Sequence, residues 1–508
     1  MEKPEPQIPS PELFFIAKGA GIVFLGSLIG NGLRYLFQII VARSLGAELF
    51  GLFFLGLTAY TIAEMFSELG LPNGVIRYIA LYQGLGDRSR TKGIIFLACR
   101  AVALSGMAVG SLLFFLSRVL SFHVFGNPGL IPILKYFALI LPFSALGTIL
   151  LFSLQGFKAI KYKIYAGEFF EPFLRILAVM GVLLMGWGLK GVLLSYWAVT
   201  LLTVIVILYY LKKVFPALGE GSVRPVYETK KILSFSWPLL FVYFIGYLLL
   251  ATDTFMLGIF RTSGEVGIYG AAQRTGLLCS LVLTSFNSIF APVIADLYNR
   301  KKLAEMERIF KLVSKWAFSA TLPICSIICL LPKNILSVFG PAFSRGAGAL
   351  TVLALGWLVH SFFGTTGTIL TMSGRTKLHL ANFSFLLLCN IFLNYVLIPS
   401  YGILGAALAT SASLLLIDLV TSWQVYYVLK IHPFRKDDGK PLLAAGIAAL
   451  VALALIRRIP HDNESLFPLA IIGLLYFGIY LTLFQLLRIN EEEKNILKGI
   501  IKKVRGIR

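Results

Sequence analysis

The stretch LIPILKYFALILPFSALGTILLFSLQGFKAIKYK, residues 130–163, decides the architecture. Residues 130–154 form an apolar run of the length that crosses a hydrocarbon core as a helix, and Lys158, Lys161 and Lys163 follow it at once. The same alternation fills the chain. Further runs near 14–42, 49–70, 93–117, 165–187, 191–211, 232–260, 268–292, 312–332, 347–372, 378–398, 403–429, 441–457 and 466–487 give about fourteen spans in all. The sequence therefore predicts an all-α polytopic membrane protein.

Basic residues near span ends are retained on the cytoplasmic side. They fall in every second loop: Arg77 to Lys92 after the second span, Lys212 to Lys231 after the sixth, Arg300 to Lys311 after the eighth and Lys430 to Lys440 after the twelfth. Both termini are thus expected to be cytoplasmic, which requires an even number of spans. The acidic, Pro-rich start MEKPEPQIPSPE does not look like a cleaved leader, so the first span is expected to be retained.

Composition narrows the function. Hydrophobic residues make up 57% and charged residues 14%, against the roughly one-quarter charged content of soluble domains. The polar segments are too short to bury cores of their own. The net charge of +22 is spread through loops and is not gathered in one basic domain, which favours topology and anionic lipid headgroups over nucleic acid. All five cysteines lie inside apolar runs without His or carboxylate at ligand spacing, so neither disulfides nor metal are expected, and nothing points to a cofactor.

Two turn patterns recur with a period near 220 residues. ARSLGAELFGLF (Ala42 to Phe53) is matched by IFRTSGEVGIYG (Ile259 to Gly270). LQGFK with GLKG (Leu154 to Lys158, Gly188 to Gly191) is matched by SGRTK with GILG (Ser373 to Lys377, Gly402 to Gly405). This divides the chain into a tail 1–13, an N-lobe 14–211, an inter-lobe loop 212–231, a C-lobe 232–430, two further spans in 441–487 and a basic tail 488–508. Six spans per lobe is even, so the lobes insert in parallel, an arrangement that places a substrate site between them.

NIFLNYVLIPSYGILGAALAT (Asn390 to Thr410), preceded by SGRTK, resembles the C-terminal signature of the polysaccharide-type (Wzx-like) lipid-linked oligosaccharide flippases of the multidrug/oligosaccharidyl-lipid/polysaccharide exporter superfamily. ARSLGAELFGLF with ELGLPNGVIRYIA (Glu68 to Ala80), and DTFMLGIFRTSGEVGIYGAAQR (Asp253 to Arg274), resemble its N-terminal and central signatures. The resemblance implies two pseudo-symmetric six-helix lobes around a central cavity, two extra helices and export of a polyprenyl-diphosphate-linked glycan across a cell membrane by alternating access. It implies transport and not catalysis, with a polysaccharide polymerase or glycosyltransferases as partners. A peptidoglycan lipid precursor flippase and a cation-coupled multidrug antiporter are the alternatives within the superfamily.

A charge at bilayer depth costs at least about 2.5–3.5 kcal/mol on insertion scales, so ionisable residues inside spans are candidates for function. Ser27, Asn31, Arg34 and Gln38 form one stripe on the first span, read either as cavity lining or as a pair with a carboxylate on the second. Arg100, Arg175 and Arg274 are further cavity candidates, with Gln273 on a polar stripe beside Arg274. Arg175 is four residues from Glu171, the spacing of a helix-local ion pair. Glu64, Glu68, Asp253 and Asp418 are candidates for coupling to protons or sodium. Arg suits a diphosphate because its planar fork donates two parallel bonds. No G-x-x-x-x-G-K-[ST] loop is present, which disfavours direct use of ATP.

Overall fold

The computed structural model describes residues 11–435, 439–456 and 466–486. Lys436, counted among the basic residues after the twelfth span, and the basic tail 488–508 lie outside the described residues, as do the first ten positions. Every regular element among the described residues is helical. Eleven helices are long and apolar enough to cross a membrane, and the one over Gly26–Glu68 is long enough for two crossings. The described chain divides after Gly270 into two compact units.

In the first unit, α1 (Pro11–Glu68) carries the first two spans. The sequence predicts a short loop between them; instead the helix runs through and breaks at a single residue, Gly46, with φ 76° and ψ 172°. Only glycine enters that region without a steric penalty, which is why no loop is needed. α2 (Leu71–Gly84) buries Leu71, Val75 and Ile79 on one face. α3 (Arg88–Val119) starts on Asp87, whose side chain accepts from the Arg90 amide at 2.9 Å. α4 (Leu130–Gly156) packs against it where Gly106 and Gly110 leave no room for a Cβ beside Pro142 and Ala138. α5 (Ile160–Ile164), a π turn over Tyr165–Phe170 and α6 (Glu171–Leu184) form the fifth crossing, and α7 (Gly188–Val214) the sixth.

The segment after α7, expected as a polar loop, is docked on this unit. The Val226 amide donates to Ser89 O at 3.1 Å, and Lys92 Nζ donates to Glu220 O at 2.6 Å. The Tyr82 hydroxyl bonds Glu228, which also pairs with Lys231 at 3.0 Å and Arg90 at 3.5 Å. The Tyr82 bond and then Lys231 hold the Glu228 carboxyl below its usual range, while burial and the same carboxylate push Tyr82 up to about 12. Because the folded value of Glu228 is depressed, its contribution is present at neutral pH and is lost only as the pH falls below the ordinary carboxylate range.

α8 (Thr229–Phe260) follows, and α9 (Ser263–Gly276) opens on a capping box in which Thr262 and Glu265 exchange side-chain-to-amide bonds, both 3.3 Å. The six-plus-six plan assigns these elements to the second half, yet α8 and the head of α9 pack with the first unit. Glycine contacts explain this. A Cβ on Gly70 would lie 2.3 Å from Ser236 O, one on Gly51 1.7 Å from Ser263 O, and one on Gly267 2.2 Å from Ala47 O. Ala47 and Gly51 face Ser263 and Gly267, two small-x-x-x-small pairs crossing backbone to backbone.

The second unit holds α10 (Ser280–Asn299), α11 (Leu303–Leu330), the short α12 (Pro332–Ser337), α13 (Ala347–Phe363), α14 (Thr365–Met372), α15 (Thr376–Tyr401) and α16 (Ile403–Leu429). α17 (Gly439–Ile456) and α18 (Leu466–Leu486) pack on α11 through Leu322, Ala444, Ala448, Tyr476 and Tyr480, and the Tyr480 hydroxyl donates to Ser319 O at 2.8 Å. The recurring G-x-x-G turns share a design. The first glycine takes positive φ (Gly188, 52°; Gly402, 55°), and the second sits where a Cβ would collide, Gly191 with Trp187 and Val182, Gly405 with Leu397 O.

Candidate functional site

The second half of α1 brings Tyr60, Thr61 and Glu64 to face Ser144 and Thr148 of α4, Glu171 and Arg175 of α6, and Tyr196, Thr200 and Thr203 of α7. Together they line a cavity of about 280 Å³ inside the first unit. Its wall is aromatic: Tyr60 stacks on Phe137 at 5.0 Å, and Phe53 and Phe137 meet Tyr196 edge-on. Arg175 Nη2 donates to Glu171 Oε1 at 2.5 Å, the pair expected from the spacing. The Arg175 guanidinium also lies 3.8 Å from the centre of the Tyr196 ring. Tyr60 donates to Glu64 Oε1 at 2.9 Å, while Ser144 and Thr148 set hydroxyls beside Glu64 and Glu68. Two carboxyl groups and one guanidinium thus share this cavity, with Glu171 paired to Arg175 and Glu64 left to bind or release a proton.

Arg34 stands apart from that cavity. Its Nη2 donates to Glu168 Oε2 at 2.7 Å and to Gly167 O at 3.3 Å, and its Nη1 to Asn31 Oδ1 at 3.2 Å. Gly30 lets Glu168 come this close, since a Cβ there would lie 2.5 Å from the carboxylate. The carboxylate thus comes from the π turn before α6 and not from the second span. Arg34 keeps 46% of its side chain exposed, which leaves donors of the guanidinium open to a ligand. Gln38, on the same stripe, is buried with its Oε1 unpartnered.

The remaining arginines are placed differently. Arg100 Nη1 donates to the Tyr227 hydroxyl of the docked segment at 3.3 Å. Arg274 is half-buried and Gln273 buried in the second unit. Asp253 is fully buried in the first unit and accepts a bond from Tyr269.

The second unit has its own polar interior. His360 Nδ1 and Asp418 Oδ1 lie 2.8 Å apart, joining α13 to α16. Asn382 and Gln424 exchange amide bonds of 2.7 and 2.9 Å between α15 and α16, and the Thr366 and Thr421 hydroxyls meet at 2.7 Å. Sequence reasoning singled out Asp418 and missed His360. The available signal was that only five histidines occur and His360 falls inside an apolar run. The cysteines are free thiols, with Cys325 and Cys329 sulfurs 3.9 Å apart.

Comparison with known proteins adds context. The model of the family described as polysaccharide biosynthesis protein matches residues 16–298, and the MatE model matches residues 238–396. An uncharacterized membrane protein of Methanocaldococcus jannaschii is 24% identical, over 96% of this chain and 98% of its own length. A probable low-salt glycan biosynthesis flippase of Haloferax volcanii is 25% identical, over 78% of this chain and 81% of its own. Among solved structures, the lipid II flippase MurJ in an inward closed conformation matches with a TM-score of 0.71 at 17% identity, over 92% of this chain and 100% of its own, which is a likeness of fold.

Proposed function

Since this chain belongs to the polysaccharide biosynthesis protein family, we propose that it is a flippase that carries a polyprenyl-diphosphate-linked oligosaccharide from the cytoplasmic to the outer leaflet of the cell membrane. The observation that carries the reading is Arg34: a half-exposed guanidinium on a transmembrane helix, whose Nη1 and Nη2 bond Asn31 and Glu168 and whose Nε–H and second Nη1–H remain to donate. A diphosphate bears close to two negative charges, and a fork of N–H donors replaces its hydration. Arg274, Arg100, Arg175, Gln38 and Gln273 are the further ligand candidates. The glycan would pass on to polymerases or glycosyltransferases outside, and the prenyl chain would stay among membrane lipids.

Moving two negative charges outward against an inside-negative potential releases about 4.6 kcal/mol at 100 mV. The cavity of Glu64, Glu171 and Arg175, at about 280 Å³, is too small for an oligosaccharide and suits a hydrated cation or proton. Glu64 and Glu68, with Asp253 and Asp418, are therefore assigned to coupling.

Purified protein in liposomes is expected to translocate a polyprenyl-diphosphate oligosaccharide, faster when the receiving side is positive. The multidrug antiporter reading draws support from the acidic lining of that cavity. Immobility of the lipid together with proton-coupled efflux of an organic cation would establish it instead, and transport of the peptidoglycan precursor alone would establish the third reading.

The orientation that export requires places both termini and residues 212–231 in the cytoplasm. A single cysteine at Glu220, in a background without the native five, is expected to react with an impermeant maleimide only after permeabilisation. Labelling in intact cells would reverse the topology.

A further inference from the structure

We propose that His360 and Asp418 form a proton-binding site of the second unit, separate from the acidic cavity of the first. A nitrogen and a carboxylate oxygen 2.8 Å apart share a hydrogen, which is either the Nδ1–H of a neutral imidazole donated to an ionised Asp418 or a further proton that neutralises the pair, and the same contact accommodates both states. Asp418 is 2% exposed and its second oxygen is buried without a partner. With a neutral imidazole and an ionised carboxylate the pair carries one net negative charge in an apolar interior, one added proton neutralises it, and a second would leave an unbalanced imidazolium; the charged states are costly in low dielectric, so the pair takes up a single proton. Exchange is therefore confined to moments when water reaches the pair, and the approach is through His360, whose side chain is 22% exposed.

The ligand is a proton and not a metal cation because one of the two donors is an imidazole nitrogen and the pair supplies too few oxygens for sodium. α13 has no other ionisable side chain. Lys315 and Cys325 on α11, Cys279 ahead of α10 and His379 and Cys389 on α15 are the titratable groups of the neighbouring elements, and His360 and Asp418 each act on the other's charge. The location gives the proton a use. α13 ends at Gly364, whose amide donates to His360 O at 2.7 Å, and α14 starts at the next residue. One residue further, Thr366 bonds Thr421 on the helix that carries Asp418. The site thus sits on a break in the tenth span, where a change in the His360–Asp418 bond alters how α13, α14 and α16 are tied. It deepens the coupling role assigned above to Asp418 and rests on that reading only for its purpose.

Trp357 meets the His360 ring edge-on at 5.6 Å and serves as a reporter, because a protonated imidazole quenches indole fluorescence. In a variant retaining Trp357 alone, emission in liposomes titrated from about pH 5 to pH 9 is expected to show a one-proton transition. The transition should vanish in His360→Gln and move by about one unit or more in Asp418→Asn, with both variants keeping the parent's thermal melt. Replacing choline chloride by sodium chloride should change nothing. Emission independent of pH, a transition that survives His360→Gln, or a sodium-dependent shift would overturn the assignment. No transport substrate is involved, so failure of the flippase reading would leave this result interpretable.

Discussion

Arg34→Ala is expected to lower export of the lipid-linked glycan by about two to four orders of magnitude at matched protein level. Two charge-assisted bonds to a phosphate, at about 1.5–3 kcal/mol each, set that scale. Arg34→Lys keeps the charge but loses the parallel fork, so it should recover only part of the rate. The control is Glu168, which holds the same guanidinium at 2.7 Å. Were Arg34 present only to satisfy that carboxylate, Arg34→Ala with Glu168→Gln would restore export. If Arg34 meets the headgroup, the double variant stays as inactive as Arg34→Ala, while Glu168→Gln alone retains most activity. Accumulation of the lipid-linked intermediate on the cytoplasmic side measures all four corners of the cycle. Equal export by wild type and Arg34→Ala would remove Arg34 from the mechanism.

Gly267→Val should prevent accumulation of folded protein. A Cβ there lies 2.2 Å from Ala47 O and 2.9 Å from the Gly51 amide nitrogen, both backbone atoms of α1 and not the ends of flexible side chains. Gly51→Val meets Ser263 O at 1.7 Å and should behave alike. Losses beyond about 4 kcal/mol are expected for such overlaps. Gly84→Ala is the comparison, because no atom lies within 4 Å of its Cβ and it lies within a helix, where alanine is preferred. A melting temperature for Gly267→Val within a few degrees of wild type would show that the crossing opens in solution.

The spans were legible because hydropathy over 20 residues needs no tertiary information, and the G-x-x-G turns because a positive φ at Gly188 and Gly402 is a local demand. Glu171 and Arg175 were legible for the same reason, being one helical turn apart. The partner of Arg34 was not. Glu168 is 134 residues away in the chain, and its approach depends on a π turn and on the missing side chain of Gly30. His360 was missed because 58 residues separate it from Asp418, and a lone histidine in an apolar run carries no periodic signature. The four arginines, grouped in the sequence reading by charge, fall into four settings: Arg175 within a cavity with Glu64 and Glu171, Arg100 bonded to a docked connector, Arg34 half-exposed beside Glu168 and Arg274 half-buried in the second unit. Charge sign is written in the sequence, whereas the neighbour that neutralises it is a property of packing.

The meeting of α1 and α9 also bears on how fast the helices can slide. Most packed helices interlock like gear teeth, so any rotation must wait for side chains to exchange rotamers out of their holes. At Ala47, Gly51, Ser263 and Gly267 the teeth have been filed away, and two smooth backbone cylinders touch. Such a junction works as a plain bearing: it holds the axes close through van der Waals contact while offering little resistance to twist. Resistance to twist at these four positions then comes from backbone contact and not from side chains leaving their holes.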